Sequence, residues 1–210
     1  MKRLILSILL CTFISGIKAQ DIDALFAAMP DMYIPQLESA WRKDLIDLYN
    51  SGKEAQLKNT MNGVSSLKKL TSDYLLLQTT ERSTVEMKLL PLVNKTNIIC
   101  VVTTVDGPVS DSRIAFYTTD WQPLDTEDLL TPVSPEWFIR EDADKDSEAY
   151  RNAVALLDMN LIKYTLSPDN LTLTETYMTP LYLNKSDREK VTPFLKTIPK
   201  VYTWEKSHFK

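Results

Sequence analysis

Ile22, Leu25, Phe26 and Met29 recur at helical spacing, which predicts a helix with one buried face that Pro30 stops. A second helix is expected from Pro35, a residue suited to the first helical turn. Leu37, Trp41, Leu45 and Leu48 form its apolar stripe, with Glu38, Arg42 and Lys43 turned elsewhere. Asn50-Ser51-Gly52 breaks it, and a short polar helix from Lys53 to Asn62 capped by Gly63 is expected to follow. From Asp73 the pattern switches to alternation. Tyr74 to Thr79 and Thr84 to Leu90 read as strands joined at Glu81-Arg82-Ser83. In the second, Val85, Met87 and Leu89 alternate with Thr84, Glu86 and Lys88, the mark of an antiparallel strand with one wet face. Asn97 to Val105 and Arg113 to Trp121, joined through Asp106-Gly107-Pro108, extend this hairpin into a meander.

Residues 122–147 read as loop, rich in proline and carboxylates. Glu148 to Met159 is expected to be helical, with Tyr150, Val154 and Leu157 inward. Strands follow at Leu161 to Leu166, Leu171 to Met178 and Lys200 to Ser207. The fold class is α+β, with N-terminal helices packed on antiparallel sheet. Pro91-Leu92-Val93-Asn94-Lys95-Thr96 and Pro180-Leu181-Tyr182-Leu183-Asn184-Lys185-Ser186 follow the two hairpins in similar words. Residues 20–210 therefore form either one unrepeated domain or a domain of two related halves, 20–122 and 145–210.

The N-terminus changes the picture of where this fold works. Lys2 and Arg3, an apolar run from Leu4 to Ile14, and Gly16 to Ala19 have the layout of a secretory signal peptide, residues 1–19, cleaved after Ala19. The run is too short to span a bilayer, and no later segment is long and apolar enough, so the mature chain is expected to be soluble and exported. Lys2, Arg3 and Lys18 leave with the signal; 24 − 3 = 21 basic groups then face 28 acidic ones, a formal charge of −7. That sign argues against nucleic acid and anionic membranes as partners.

Several phrases occur together: Met29-Pro30-Asp31, Arg42-Lys43-Asp44-Leu45-Ile46-Asp47-Leu48-Tyr49, Leu70-Thr71-Ser72-Asp73-Tyr74, Lys88-Leu89-Leu90-Pro91-Leu92, Asp111-Ser112-Arg113-Ile114-Ala115-Phe116-Tyr117 and Asp120-Trp121-Gln122-Pro123-Leu124. They resemble a family of secreted Bacteroidetes proteins known as a domain of unknown function, over roughly residues 21–139. The resemblance implies a periplasmic or extracellular setting in a Gram-negative bacterium. It implies no activity.

Candidate chemistry is sparse. Cys100 is the single mature thiol and lies in the apolar run Ile98 to Val102, where it reads as a small buried hydrophobe. The one histidine, His208, sits near the C-terminus, and Gly52, Gly63 and Gly107 form no phosphate-cradling cluster. Ser65 and Ser66 each begin an S-x-x-K, but the companion elements of penicillin-recognising enzymes are missing, so an exposed polar turn is expected. Asp142, Asp144 and Asp146 match the alternating carboxylates that open a calcium loop, while Ser147 and Ala153 occupy the positions of its glycine and bidentate glutamate. Calcium is thus the alternative to a solvated loop in which Asp146 or Ser147 caps the next helix.

For ligand or partner binding the candidates are Arg113, Asp120, Trp121 and Trp204. Arg113 is a fork suited to an acidic ligand, set against the alternative of a structural turn in which it pairs with Asp111 or Asp120. Trp121 and Trp204, with Trp137 and Tyr202, are recognition aromatics if exposed and core if not. The function read from these features is a non-catalytic envelope or secreted module that binds a protein or glycan, with no cofactor. A hydrolase acting on glycans through paired carboxylates, and a calcium-stabilised structural module, are the alternatives.

Overall fold

The computed structural model describes residues 21–210; the expected signal peptide lies outside the described residues. The architecture is α+β, with a seven-stranded antiparallel sheet at its centre, strand order following the chain. Its strands are β1 (Gln56–Lys58), β2 (Val64–Leu70), β3 (Tyr74–Thr80), β4 (Ser83–Pro91), β5 (Asn97–Asp106), β6 (Ser110–Thr118) and β7 (Pro123–Leu124). A second sheet of four strands is built from β8 (Ile162–Leu166), β9 (Thr172–Tyr177), β10 (Lys200–Glu205) and β11 (His208–Phe209).

The central sheet is covered on both faces, and alternation along its strands sorts side chains between two cores. Leu75, Leu77, Val85, Met87, Leu89, Ile99 and Val101 face helices α1 (Ile22–Ala28) and α2 (Ser39–Asn50), meeting Ile22, Leu25, Phe26, Leu45 and Ile46. Tyr74, Leu90, Ile98, Cys100, Val102 and Phe116 face the second sheet, meeting Ile162, Tyr164, Leu166, Leu173, Tyr202, Trp204 and Phe209. Cys100 is fully buried, which pushes its thiol pKa well up and leaves it inert. Not all helices are N-terminal: α3 (Glu148–Val154), α4 (Thr179–Tyr182) and α5 (Lys185–Val191) belong to the C-terminal part. Around α3 and α5, Ile139, Ala153, Val191 and Leu195 make a smaller core.

The strand of alternating residues is where pattern and structure part. Its supposed wet face lies beneath the second sheet. Lys88 is 2% exposed, its ammonium 2.9 Å from Asp73 and donating to the Pro168 carbonyl at 3.2 Å. Glu86 accepts from the Leu166 amide at 2.7 Å and from the Tyr74 hydroxyl at 3.2 Å. A polar face is thus buried because each charged group finds a partner on or near the covering layer.

Burial outweighs these hydrogen bonds for Glu86, whose carboxyl pKa is raised; Lys163 pulls the other way, and Cys100 is a further neighbour. A carboxyl raised in the folded state stabilises fully below its unfolded value of about 4.3, and that contribution is lost as pH rises through the folded value. Replacing Glu86 with Gln keeps an acceptor for Leu166 and removes the titration. Urea unfolding at pH 4, 6 and 8 should therefore show Glu86→Gln gaining on the parent as pH rises. A difference independent of pH would contradict the raised pKa.

Several other expectations change. No helix spans 53–62; Gln56–Lys58 pairs with β2 as the sheet's edge. The following turn is built on Asn59, whose Oδ1 accepts from the Met61 and Gly63 amides while Nδ2 donates to Ser65 Oγ and the Thr79 carbonyl. Asn62, not Gly63, takes the left-handed conformation there, at φ 61°. Ser65 and Ser66 are buried in β2 instead of forming an exposed turn, with Ser65 Oγ donating to the Thr79 carbonyl at 2.7 Å. Helix α2 starts at Ser39, because Pro35 and Gln36 spend their carbonyls on Thr60. Helix α3 stops at Val154, where the chain tightens into three-residue turns at Leu156 and Leu157. The two similar phrases also differ in structure: one is a turn with Lys95 at φ 66°, the other contributes α4 and α5.

Candidate functional site

The helical layer does not cover the whole face of the central sheet. Helix α1 ends at Ala28, and residues 29–37 cross the sheet as an irregular segment containing a 3-10 turn, Asp31–Tyr33. Beyond this segment the ends of β4, β5 and β6 carry on bare. A groove of about 540 Å³ results. Its floor is Val85, Val101, Thr103, Val105 and Ala115 from successive strands, and its wall is Met29, Met32, Tyr33 and Ile34. Met32 is 79% and Val105 55% exposed, an apolar pair open to water on opposite sides.

Arg42 holds the wall in place. The side chain is fully buried, with Nη1 donating to the Leu37 carbonyl at 2.6 Å and lying 2.9 Å from Asp31 Oδ1. Nη2 donates to the carbonyls of Met29 and, at 3.5 Å, of Ala27. One guanidinium thus gathers carbonyls from both ends of the irregular segment, groups that no helix or strand would otherwise satisfy.

At the closed end sit three aromatic rings. Tyr33 lies 4.8 Å from Tyr117 and 5.8 Å from Trp121, centroid to centroid, and Tyr117 lies 5.4 Å from Trp121. Trp121 adopts φ 61°, a left-handed conformation unfavourable for a bulky residue. Its amide donates to the Thr118 carbonyl in the turn after β6, and its indole nitrogen donates to the Leu25 carbonyl at 3.1 Å. Tertiary contacts therefore hold a strained turn that aims the ring into the groove.

Arg113 stands on the open side, on β6 opposite Thr103. It is exposed, and among the described residues its guanidinium has neither a hydrogen bond nor an ion pair. Asp111, two positions along the same face, turns its Oδ1 to the Ile162 amide at 3.1 Å. The expected turn pairing Arg113 with Asp111 or Asp120 is therefore not formed. Burial and the neighbouring Tyr33 push the Tyr117 pKa up, while Arg113 pulls it down.

Of the four binding candidates, the fold brings Arg113 and Trp121 to this groove. Asp120 is exposed at the turn beside Trp121 and is not part of the lining. Trp204 lies on the other side of the sheet, buried in the second core and donating its indole N–H to the Pro91 carbonyl at 2.7 Å. Tyr202 is buried there too, donating to Glu175 at 2.6 Å, whereas Trp137 is half-buried under the Lys196 ammonium, 4.4 Å from its ring centre. Met29 entered the sequence reading only as part of the first helix's buried face, and Met32 and Tyr33 escaped it. The segment between Pro30 and Pro35, with no helical or strand period, was their signal.

The aspartates of the 142–146 loop do not converge. Asp142 is bound bidentately by Arg140, at 2.9 and 2.6 Å, which lowers its pKa. Asp144 accepts from the Asp146 amide at 3.1 Å, and Ser147 caps α3 by accepting from the Tyr150 amide at 3.1 Å. Among the described residues no group of three His, Cys, Asp or Glu side chains is arranged to hold a metal ion.

A family model described as "Protein of unknown function (DUF3256)" matches residues 14–209. The chain belongs to the DUF3256 family. A solved structure titled "Structure of a domain of an uncharacterized protein from Porphyromonas gingivalis W83" is 31% identical, with a TM-score of 0.82, over 90% of this chain and 98% of that one. No curated protein matches. The family match takes in both sheets and the residues that line the groove. Among the described residues of this DUF3256 member, no helix is long and apolar enough to cross a membrane.

Proposed function

We propose that this chain is an exported, non-catalytic binding module whose ligand site is the groove between residues 29–34 and the bare end of the central sheet. The observation that carries this reading is the lining itself. An apolar floor and a preformed aromatic end meet an unpaired guanidinium, the usual composition of a ligand pocket with one orienting polar group. The carboxylate in the lining, Asp111, is committed to the Ile162 amide and has no acid partner beside it. Export is supported by the basic start, apolar run and Ala19 processing site, which fit a periplasmic or extracellular module of a Gram-negative cell.

The test is native mass spectrometry of the protein purified from its own host's envelope and culture fractions, beside a Thr103→Trp variant. Thr103 is exposed on the groove floor, so a strand-favouring indole fills the space without entering the core. The parent is expected as a chain starting at Gln20 and carrying a bound mass that Thr103→Trp lacks. A bound mass retained in the variant, or a bare parent that also yields no crosslink from a photoreactive residue at Val105, would overturn the reading.

A further inference from the structure

We infer that the ligand of this groove is a small amphiphile with a single carboxylate, its apolar body on the floor and its anionic head on Arg113. This rests on the groove being the ligand site. The body follows from the lining: Val105 and Ala115 below and Met32 beside present apolar surface, backed by the buried Val85, Val101, Met29 and Ile34, all without hydrogen-bonding side chains. Methionine walls adapt to chain-like ligands of varied shape. The head follows from charge. The mature chain is strongly acidic, yet the cation in this lining is left unpaired. A guanidinium presents a planar fork that matches a carboxylate in two parallel hydrogen bonds.

Size selects the small ligand over a polypeptide. About 540 Å³ lies within the range of roughly 300–1,000 Å³ that encloses a small molecule. A stable protein contact instead covers on the order of 800 Å² per partner. The aromatic end stops the groove, as a pocket for a ligand's terminus requires. Trp121 there has its indole N–H already used on Leu25, so the ring offers the ligand only its apolar body. Thr103, opposite Arg113 across the strand pair, remains for a weaker polar contact near the head.

The experiment is calorimetric titration of the purified chain with decanoate, decanol and decyltrimethylammonium, with tryptophan fluorescence as a second readout through Trp121. Decanoate is expected to bind, at least ~10-fold tighter than the cationic amphiphile, since a hydrogen-bonded charge pair is worth about that factor or more. Arg113→Gln, an exposed substitution, is expected to weaken decanoate ~10-fold while leaving decanol unchanged. Thr103→Trp is expected to abolish both.

Equal affinity for anion and cation, or no effect of Arg113→Gln, overturns the carboxylate assignment. If Thr103→Trp still blocks binding in that case, the groove stands as a site for some other ligand. No signal at roughly 1 mM decanoate overturns the amphiphile assignment. So does an acidic, apolar peptide that binds more tightly than decanoate and is lost in the same two variants.

Discussion

Arg42→Met is expected to destabilise the fold by about 3–5 kcal/mol, lowering Tm by roughly 10 °C for a chain of this length. The loss does not come from the Asp31 pair alone, since that carboxylate is 60% exposed and water can replace the arginine there. It comes from the carbonyls of Leu37 and Met29, which face a fully buried guanidinium and would face an apolar side chain instead. Arg42→Lys keeps the charge but offers a point donor where a fork is needed, so it is expected to recover only part of the loss. Urea unfolding measures the size. Hydrogen exchange measures the place: protection is expected to fall first in residues 29–37, the groove wall. A loss below about 1 kcal/mol would mean that these carbonyls find other partners.

Trp121 carries the second large effect. Trp121→Ala is expected to cost about 3–5 kcal/mol through the void left beside Tyr33 and Tyr117 and the unpaired Leu25 carbonyl. Trp121→Gly opens the same void but relieves the left-handed backbone, at φ 61° in the parent. The glycine variant should therefore be more stable than the alanine variant by about 1 kcal/mol, the reverse of the order in a helix or strand. Thermal and urea melts of the two variants side by side decide it. If alanine is the more stable, the turn relaxes freely and the ring is not held against strain.

The meander was legible because its strands alternate cleanly and lie next to one another in the chain; β3 to β6 differ from the sequence reading by a few residues at their ends. The helix stripe through Leu45 was legible for the same reason. The burial of Glu86 and Lys88 was not, because a strand under a polar-compatible cover reads like a strand facing water. What distinguishes the two is Leu166 and Pro168, some eighty residues away. The helix expected at 53–62 failed because polar residues without a period fit an edge strand equally well, and pairing with β2 decided it.

The groove was legible in part. Arg113 and Trp121 stood out by residue type, and the fold places both there. Trp204 stood out on the same grounds and is core, since nothing in its neighbourhood of sequence says which face of the sheet it meets. Met32 and Tyr33 were invisible. Their position depends on Arg42, a residue that the helical pattern assigns to an outward face and that the structure turns inward.

The two-sided cover of the central sheet imposes an order on synthesis. Chains emerge N-terminus first, so α1, α2 and β1 to β7 are available once residue 124 has appeared, and one face can close at once. The other face, with Tyr74, Leu90, Ile98, Val102 and Phe116, must wait for strands that begin at Ile162 and end at Phe209. Until then a nearly complete sheet presents an apolar surface with no cover of its own. That interval, set by chain order alone, is when a nascent molecule of this fold most needs a chaperone or an unoccupied neighbourhood.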